Sequence, residues 1–332
     1  MAVTITVDGV EYRVDERLNL LQACLDVGIQ IPHFCYHPGL GPDGNCRMCQ
    51  VELVTERGTV LAISCNTRVT EGMNVLVNSE RAVRVRAAVE EFLLLNHPLD
   101  CPICDKAGEC TLQNYYMKHD LKDSFQEFAR FKKRKALVIG PTLVLDQERC
   151  VLCDRCVRFL RDIAGNEELY IAGRGHEAFL TNFPGREVTG PYSLNTVDLC
   201  PVGALTSRDF RFASPVWFMR TTPSVCTTCA RGCAIRIDHR RGAVLRLRPR
   251  YNPDVNGYWM CDEGRLNYRF INENRASACE AVVNGARVEL TYEEALREAL
   301  RLLGGGSEPG SDFTPRSGIV LLASAMSTVE EL

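Results

Sequence analysis

Fifteen of the seventeen cysteines, joined by one histidine, fall into four consecutive groups of four, and no group borrows from another. They are Cys35, Cys46, Cys49 and Cys65; His97, Cys101, Cys104 and Cys110; Cys150, Cys153, Cys156 and Cys200; and Cys226, Cys229, Cys233 and Cys261. Each group is spaced like an iron–sulfur cluster site, so the chemistry on offer is one-electron transfer. A chain with four such centres and little else is a wire. Only Cys24 and Cys279 are left over.

Three of the four sets have zinc as a rival reading. The first, C-x10-C-x2-C-x15-C, keeps the order of a plant-type [2Fe–2S] site but with a longer first gap. Its rival is zinc, which prefers two C-x2-C knuckles. The second, H-x3-C-x2-C-x5-C, is on its own as much a Cys3His zinc site as a cluster site. Its place between two better cluster signals favours a [4Fe–4S] cluster, and imidazole in place of a thiolate makes that cluster less negative. The third set is half of a bacterial ferredoxin. Such a run is C-x2-C-x2-C-x3-C-P, with its fourth cysteine serving the other cluster of a pair. Here Leu160 stands at the fourth position, and Gly190, Ser193 and Thr196 replace the first three cysteines of the partner run that ends in Cys200-Pro201. One [4Fe–4S] site survives complete and the other is gone. The fourth, C-x2-C-x3-C-x27-C, suits a [4Fe–4S] cluster, with a zinc ribbon as its rival. His33, His37, His119, His176 and His239 have no ligand-like spacing and are read as bystanders.

The elements that must hold these ligands can be placed along the chain. Val3–Val7 and Val10–Val14 flank Asp8-Gly9 and read as a hairpin. Residues 19–28 read as a short helix with Cys24 packed in its apolar face. A Gly/Pro-rich loop then carries Cys35, Cys46 and Cys49, followed by strands at 50–54 and 60–64. Small residues there let backbone N–H groups approach a cluster. Ser79–Asn96 reads as a helix with a buried stripe of Ala82, Val85, Val89, Phe92 and Leu93. Lys132 to Lys135 read as a solvated face or docking edge. Residues 216–269 read as a small β-rich module whose many arginines face solvent or a partner subunit. Thr291–Leu303 reads as an amphipathic helix and Gly318–Ala323 as a buried strand, the start of an α/β domain.

Composition bounds the rest. The chain has 332 residues, 45% hydrophobic and 24% charged, with a formal charge of −3, which gives no bulk attraction to nucleic acid. No run of about 18 apolar residues occurs, so no membrane-spanning helix is expected. The first residues read as a strand and not as a signal peptide. Reduced thiols serving as metal ligands are therefore expected, not disulfides.

At this point the sequence resembles a family, the large iron–sulfur subunit of NADH-quinone oxidoreductase (respiratory complex I). The segments that carry the likeness are CYHPGLGPDGNCRMC (35–49), HPLDCPICDKAGEC (97–110), CVLCDRCVRF (150–159), DLCPVGALT (198–206), CTTCARGC (226–233) and CDEGR (261–265). The resemblance implies an α+β multidomain chain. Its parts would be a β-grasp [2Fe–2S] ferredoxin domain (1–78), a His-Cys [4Fe–4S] segment (79–118) and a bacterial-ferredoxin-like [4Fe–4S] domain (119–215). A small β-rich [4Fe–4S] domain of the molybdopterin-oxidoreductase type (216–272) and a truncated α/β tail (273–332) would follow. No molybdopterin is expected.

The same resemblance implies partners: a flavin-bearing NADH-oxidising subunit with its small [2Fe–2S] companion, a downstream two-cluster ferredoxin-like subunit and, indirectly, the membrane arm. Electrons would enter at the Cys35 set, cross to the Cys150 set, then to the His97 set, and leave toward quinone. The Cys226 set would lie off this path. The location implied is peripheral, on the cytoplasmic side of the inner membrane. Two alternatives remain. The iron–sulfur portion of a formate dehydrogenase or hydrogenase is the first, although Glu263 stands where the formate enzymes usually carry lysine. A non-redox zinc protein is the second.

Overall fold

The computed structural model describes residues 1–119, 126–273, 278–283 and 285–303. Strands β1 (Ala2–Val7) and β2 (Val10–Asp15) form the hairpin, with Asp8 and Gly9 both at positive φ in the turn. Helix α1 (Leu20–Asp26) starts at a capping box in which the Asn19 side chain takes the Gln22 N–H and the Gln22 side chain takes the Asn19 N–H. It stops at Gly28, whose φ of +86° a residue with Cβ rarely adopts. Strands β3 (Gln50–Thr55), β4 (Gly58–Ile63) and β5 (Met73–Leu76) complete a five-stranded sheet in the order β2-β1-β5-β3-β4, with β1 and β5 parallel. Ile5, Leu20, Leu21, Val51 and Val75 fill its core, and Cys24 is buried among them. Burial drives the Cys24 thiol up to about 12, so it stays neutral and packs as a small hydrophobe.

Helix α2 (Glu80–Leu94) is capped by Ser79, whose hydroxyl accepts the Ala82 N–H. The expected apolar stripe is only partly buried. Ala82 is fully covered, but Phe92 is 74% exposed, and Arg86 and Glu90 are the other buried residues of this helix. The reason is packing against β3 and the following helix. Arg86 Nη1 donates to the Gln50 carbonyl, and Glu90 pairs with His119. Helix α3 (Thr111–Lys118) follows the second cysteine set.

Strands β6 (Leu137–Val138) and β7 (Leu143–Leu145), helix α4 (Arg155–Arg158), strands β8 (Leu169–Ala172) and β9 (Phe179–Asn182), helix α5 (Asn195–Leu199) and strand β10 (Leu205–Ser207) build the next unit. A π-helical turn, Phe159–Ala164, extends α4. Phe34, Leu143, Leu145, Phe159, Leu160 and Leu205 share one core with Cys35, Cys110, Cys153, Cys156 and Cys200. That core reaches from the Cys35 loop to β10, so the units are not separately packed. Each fully buried large side chain contributes roughly 1.5–3 kcal/mol.

Strands β11 (Arg220–Val225), β12 (Ala234–Arg240) and β13 (Ala243–Pro249) form an antiparallel sheet around Ile235, Val244 and Leu247, closed by α6 (Asp262–Leu266) and α7 (Arg269–Asn272). Its arginines are not all solvated. Arg246 and Arg248 both bind Asp238, and Arg246 clasps Glu109 through two hydrogen bonds of 2.9 and 3.0 Å. The basic run is partnered at two positions: half-buried Lys133 donates to the Ala178 carbonyl, and exposed Lys135 pairs with Asp100, Asp146 and Glu148. A hairpin of β14 (Cys279–Val283) and β15 (Ala286–Leu290), which the sequence reading missed, precedes α8 (Tyr292–Leu303). Thr291 and Glu294 cap α8 reciprocally. The strand expected at 318–323 lies outside the described residues.

Candidate metal centres

The first set is gathered by the loop from α1 to β3 and by the turn after β4. Cys49 directly precedes β3, and Cys65 lies in the 3-10 turn Ser64–Asn66. Ser64 ties the two together, its N–H and hydroxyl both donating to the Cys49 carbonyl at 3.0 and 2.9 Å. The N–H groups of Phe34 and Cys35 both point at Cys46 Sγ, 3.4 Å away. Hydrogen bonds from the Cys46 and Cys65 thiols hold Cys35 well below the ordinary thiol range, and a bond from Cys65 lowers Cys49 to about 7. The same bonds push Cys46 and Cys65 well above the ordinary thiol range, so these two keep their protons until a metal displaces them.

The second set hangs between α2 and α3. His97 N–H caps the end of α2 through the Leu94 carbonyl, and Cys110 begins α3. His97 Nδ1 is buried and has no hydrogen-bond partner. An orphaned ring nitrogen costs about 1–3 kcal/mol unless something takes it up, and a metal would. Burial and then the Arg149 charge push His97 down to about 4, which keeps the imidazole neutral and able to ligate. Gly203 fits against this set: a Cβ there would lie 2.3 Å from Cys104 Sγ.

The third set lines one cavity. Cys150, Cys153, Cys156 and Cys200 surround it, with Leu180, Val202 and Leu205 among its apolar walls. Leu152 and Asp154 both adopt positive φ, +51° and +54°, so the backbone curls around the cavity as non-glycine residues seldom do. The Leu152 N–H points at Cys150 Sγ, 3.4 Å away. Burial pushes Cys150 up to about 12 and raises Cys153 and Cys156 as well. Without a metal these thiols stay protonated, and iron would supply the charge that deprotonates them.

The fourth set closes over β11, β12 and α6. The Cys226 N–H donates to the Cys233 carbonyl at 2.8 Å, and Cys261 Sγ accepts the Gly264 N–H at 3.3 Å. A Cβ on Gly264 would come 3.0 Å from Cys226 Sγ and 3.4 Å from Cys261 Sγ. Cys101 and Cys229 are exposed members of their sets. Among the described residues no three His, Cys, Asp or Glu side chains are placed to hold one metal ion. Thiol donors, N–H groups aimed at their sulfurs and the buried His97 ring nitrogen are the chemistry that an iron–sulfur group takes.

The place of the lost ferredoxin site is now a joint. Ser193 Oγ donates to Asp262 Oδ2 at 2.6 Å, and the Leu194 N–H donates to Asp262 Oδ1 at 3.0 Å. Asn195 and Met260 exchange two hydrogen bonds beside them. Ser193, at one of the positions where the ferredoxin pattern would have cysteine, and its neighbours Leu194 and Asn195 therefore anchor the segment carrying Cys261. Asp262, Gly203, Gly264, Arg155 and Arg158 were not singled out from sequence. Their only signal was adjacency to ligands. The bystander histidines have other partners: His33 with the Ile31 carbonyl, His37 against Tyr258 and Trp259, His119 with Glu90, His176 against Phe131, and His239 with Thr222.

Four family models match the chain. They are a 2Fe–2S iron–sulfur cluster binding domain (residues 1–80), the NADH-ubiquinone oxidoreductase-G iron–sulfur binding region (86–124), the ferredoxin-like domain of NADH-quinone oxidoreductase subunit 3 (140–206) and an NDSU1/NuoG-like 4Fe–4S domain (219–269). The NADH-quinone oxidoreductase G subunit of Streptomyces coelicolor is 41% identical over 90% of this chain and 36% of its own length. The NADH-ubiquinone oxidoreductase 75 kDa subunit of Reclinomonas americana is 39% identical over 91% of this chain and 43% of its own. The NADH-quinone oxidoreductase G subunit of Rickettsia conorii is 37% identical over 99% and 48%. The chain thus spans less than half the length of these relatives. Among solved structures, a chain of an NAD+-reducing [NiFe]-hydrogenase is 33% identical with a TM-score of 0.58, covering 64% of this chain and 91% of that one.

Proposed function

Since the chain belongs to the family of the NADH-quinone oxidoreductase G subunit, we propose that it is the cluster-bearing part of an electron-transfer subunit that passes electrons from a flavin-bearing NADH-oxidising subunit toward quinone. When bound, the clusters supply one-electron oxidation and reduction; the protein's part is to hold them at fixed separations and tune them. The proposed ligands are Cys35, Cys46, Cys49 and Cys65 for one [2Fe–2S] cluster. For three [4Fe–4S] clusters they are His97, Cys101, Cys104 and Cys110; Cys150, Cys153, Cys156 and Cys200; and Cys226, Cys229, Cys233 and Cys261. No molybdopterin is needed.

The observation that carries this reading is the central position of the third set. On one side Asn45, beside Cys46, donates to the Leu152 carbonyl at 2.9 Å, and Arg158 donates to the Cys35 carbonyl at 2.6 Å. On the other side the Thr111 N–H, beside Cys110, donates to the Pro201 carbonyl at 2.8 Å, and Gly203 lies against Cys104. These contacts support the order first set, third set, second set; that the fourth stands off this path is part of the proposal. We take the five-stranded sheet with α1 as a β-grasp ferredoxin domain (1–78), followed by units at 79–118, 119–215, 216–272 and 273–332.

The proposed neighbours are the flavin subunit with its small [2Fe–2S] companion and a two-cluster ferredoxin-like subunit, on the cytoplasmic side of the membrane. No helix among the described residues is long and apolar enough to cross a membrane. The hydrogenase likeness supports a second reading, a cluster scaffold in an NAD-linked hydrogenase. It covers less of the chain than the 90–99% covered by the three NADH-quinone and NADH-ubiquinone oxidoreductase relatives. Replacing Cys153 by Ala tests the wiring. NADH-to-quinone turnover should fall to background in an assembled complex, and unchanged turnover would contradict it.

A further inference from the structure

Arg155 stands between two ligand sets and belongs to the run of one of them, Cys153-Asp154-Arg155-Cys156. Its Nη2 donates to the carbonyl of Tyr36, the residue after Cys35, at 2.6 Å. Its Nη1 donates to the carbonyl of Leu199, the residue before Cys200, at 3.3 Å. It also lines the cavity that Cys150, Cys153, Cys156 and Cys200 surround. The Nε is buried and makes no hydrogen bond.

The neighbouring arginine shows what is unusual here. Arg158 pairs with Asp154 at 3.2 Å and approaches Asp43 at 3.9 Å. Among the described residues no carboxylate pairs with Arg155, which meets only carbonyl oxygens. Arg155 is half-buried, and a cation partly withdrawn from water gains from a counter-charge as well as from dipoles. Thiolate-bound clusters on either side would provide it, because each becomes more negative on reduction.

We propose that Arg155 is a positioning residue for electron transfer between the first and third sets, holding one carbonyl beside each and stabilising the reduced state of both clusters by its charge. In that transfer one electron leaves the first cluster and one enters the third; no bond or proton moves. The proposal rests on the cluster assignments above.

EPR-monitored redox titration of the full chain tests it, in Arg155→Gln and Arg155→Lys. In Arg155→Gln the reduced-to-oxidised ratio at fixed potential should fall about tenfold for the first and third clusters, about 59 mV for one electron, while the second and fourth stay in place. Arg155→Lys keeps the charge and should restore both potentials. It loses the planar two-carbonyl grip, so pulsed dipolar EPR between the two clusters should show a broader distance distribution. Three results would overturn the proposal: no shift in Arg155→Gln, an equal shift in all four clusters, or loss of the first or third cluster in either variant. Unsubstituted protein without clusters at Cys35–Cys65 and Cys150–Cys200 would instead remove the underlying assignment.

Discussion

Two glycines lie close against ligand sulfurs, Gly203 with no room for a Cβ and Gly264 with little. Gly264 lies between Cys226 and Cys261, and Gly203 lies on Cys104. Replacing Gly203 by Ala would place Cβ 2.3 Å from Cys104 Sγ. The half-buried Cys104 thiol, with the Lys106 and Arg149 side chains beside it, leaves little room to relax, and such overpacking costs about 1–3 kcal/mol. The expected outcome is selective loss of the His97 set, with iron falling by about four per chain and the other signals kept. Iron analysis with EPR checks this, and full iron content would contradict it. The sixteen proposed ligands could be read from the sequence because metal sites use few residue types at short, fixed spacings. The glycines could not. Gly203 is important because of Cys104, about a hundred residues away, and no local pattern records that contact.

At the scale of elements, ion pairs replace the solvated faces that the sequence led us to expect. Asp238, fully buried on β12, takes hydrogen bonds from Arg246, Arg248 and Thr221. Arg246 carries the link on to Glu109, beside the second set. Burial alone would raise Asp238, but the bonds from Arg248, Thr221 and Arg246 outweigh it and hold the carboxyl below its ordinary value. The folded state therefore binds fewer protons than the unfolded one. Its contribution is present above the unfolded value, about pH 4, and is lost as pH falls through the depressed one. Asp238→Asn should destabilise the fold by about 3–5 kcal/mol at pH 7, with the difference fading below about pH 4. Denaturant midpoints of both proteins across pH 3–7 check this; a difference that does not change with pH would refute the electrostatic account. The hairpin was legible from Asp8-Gly9, α1 from its apolar face and the stop at Gly28, and α8 from its amphipathic spacing. The buried arginines were not, because sequence gives charge but not burial. For the same reason α2 buries Arg86 and Glu90 while Phe92 faces outward.

At the scale of the molecule, chain order and spatial order differ. The third set touches both the first and the second: the Cys35 loop packs on α4, while Thr111 bonds to the Pro201 carbonyl and Gly203 lies against Cys104. In the sequence, Leu160, Gly190, Ser193 and Thr196 read as the trace of a missing ferredoxin half. Its new use, as the joint that holds Cys261 through Asp262, appears only in three dimensions. The account stands on four separate cluster sites in one chain, and the most direct measurement is iron and acid-labile sulfide per chain on anaerobically purified protein, with EPR of the reduced sample. About fourteen irons, from one [2Fe–2S] and three [4Fe–4S] clusters, with overlapping spectra of both types, is the predicted result. Zinc in place of iron, or iron for only one or two clusters, would contradict it.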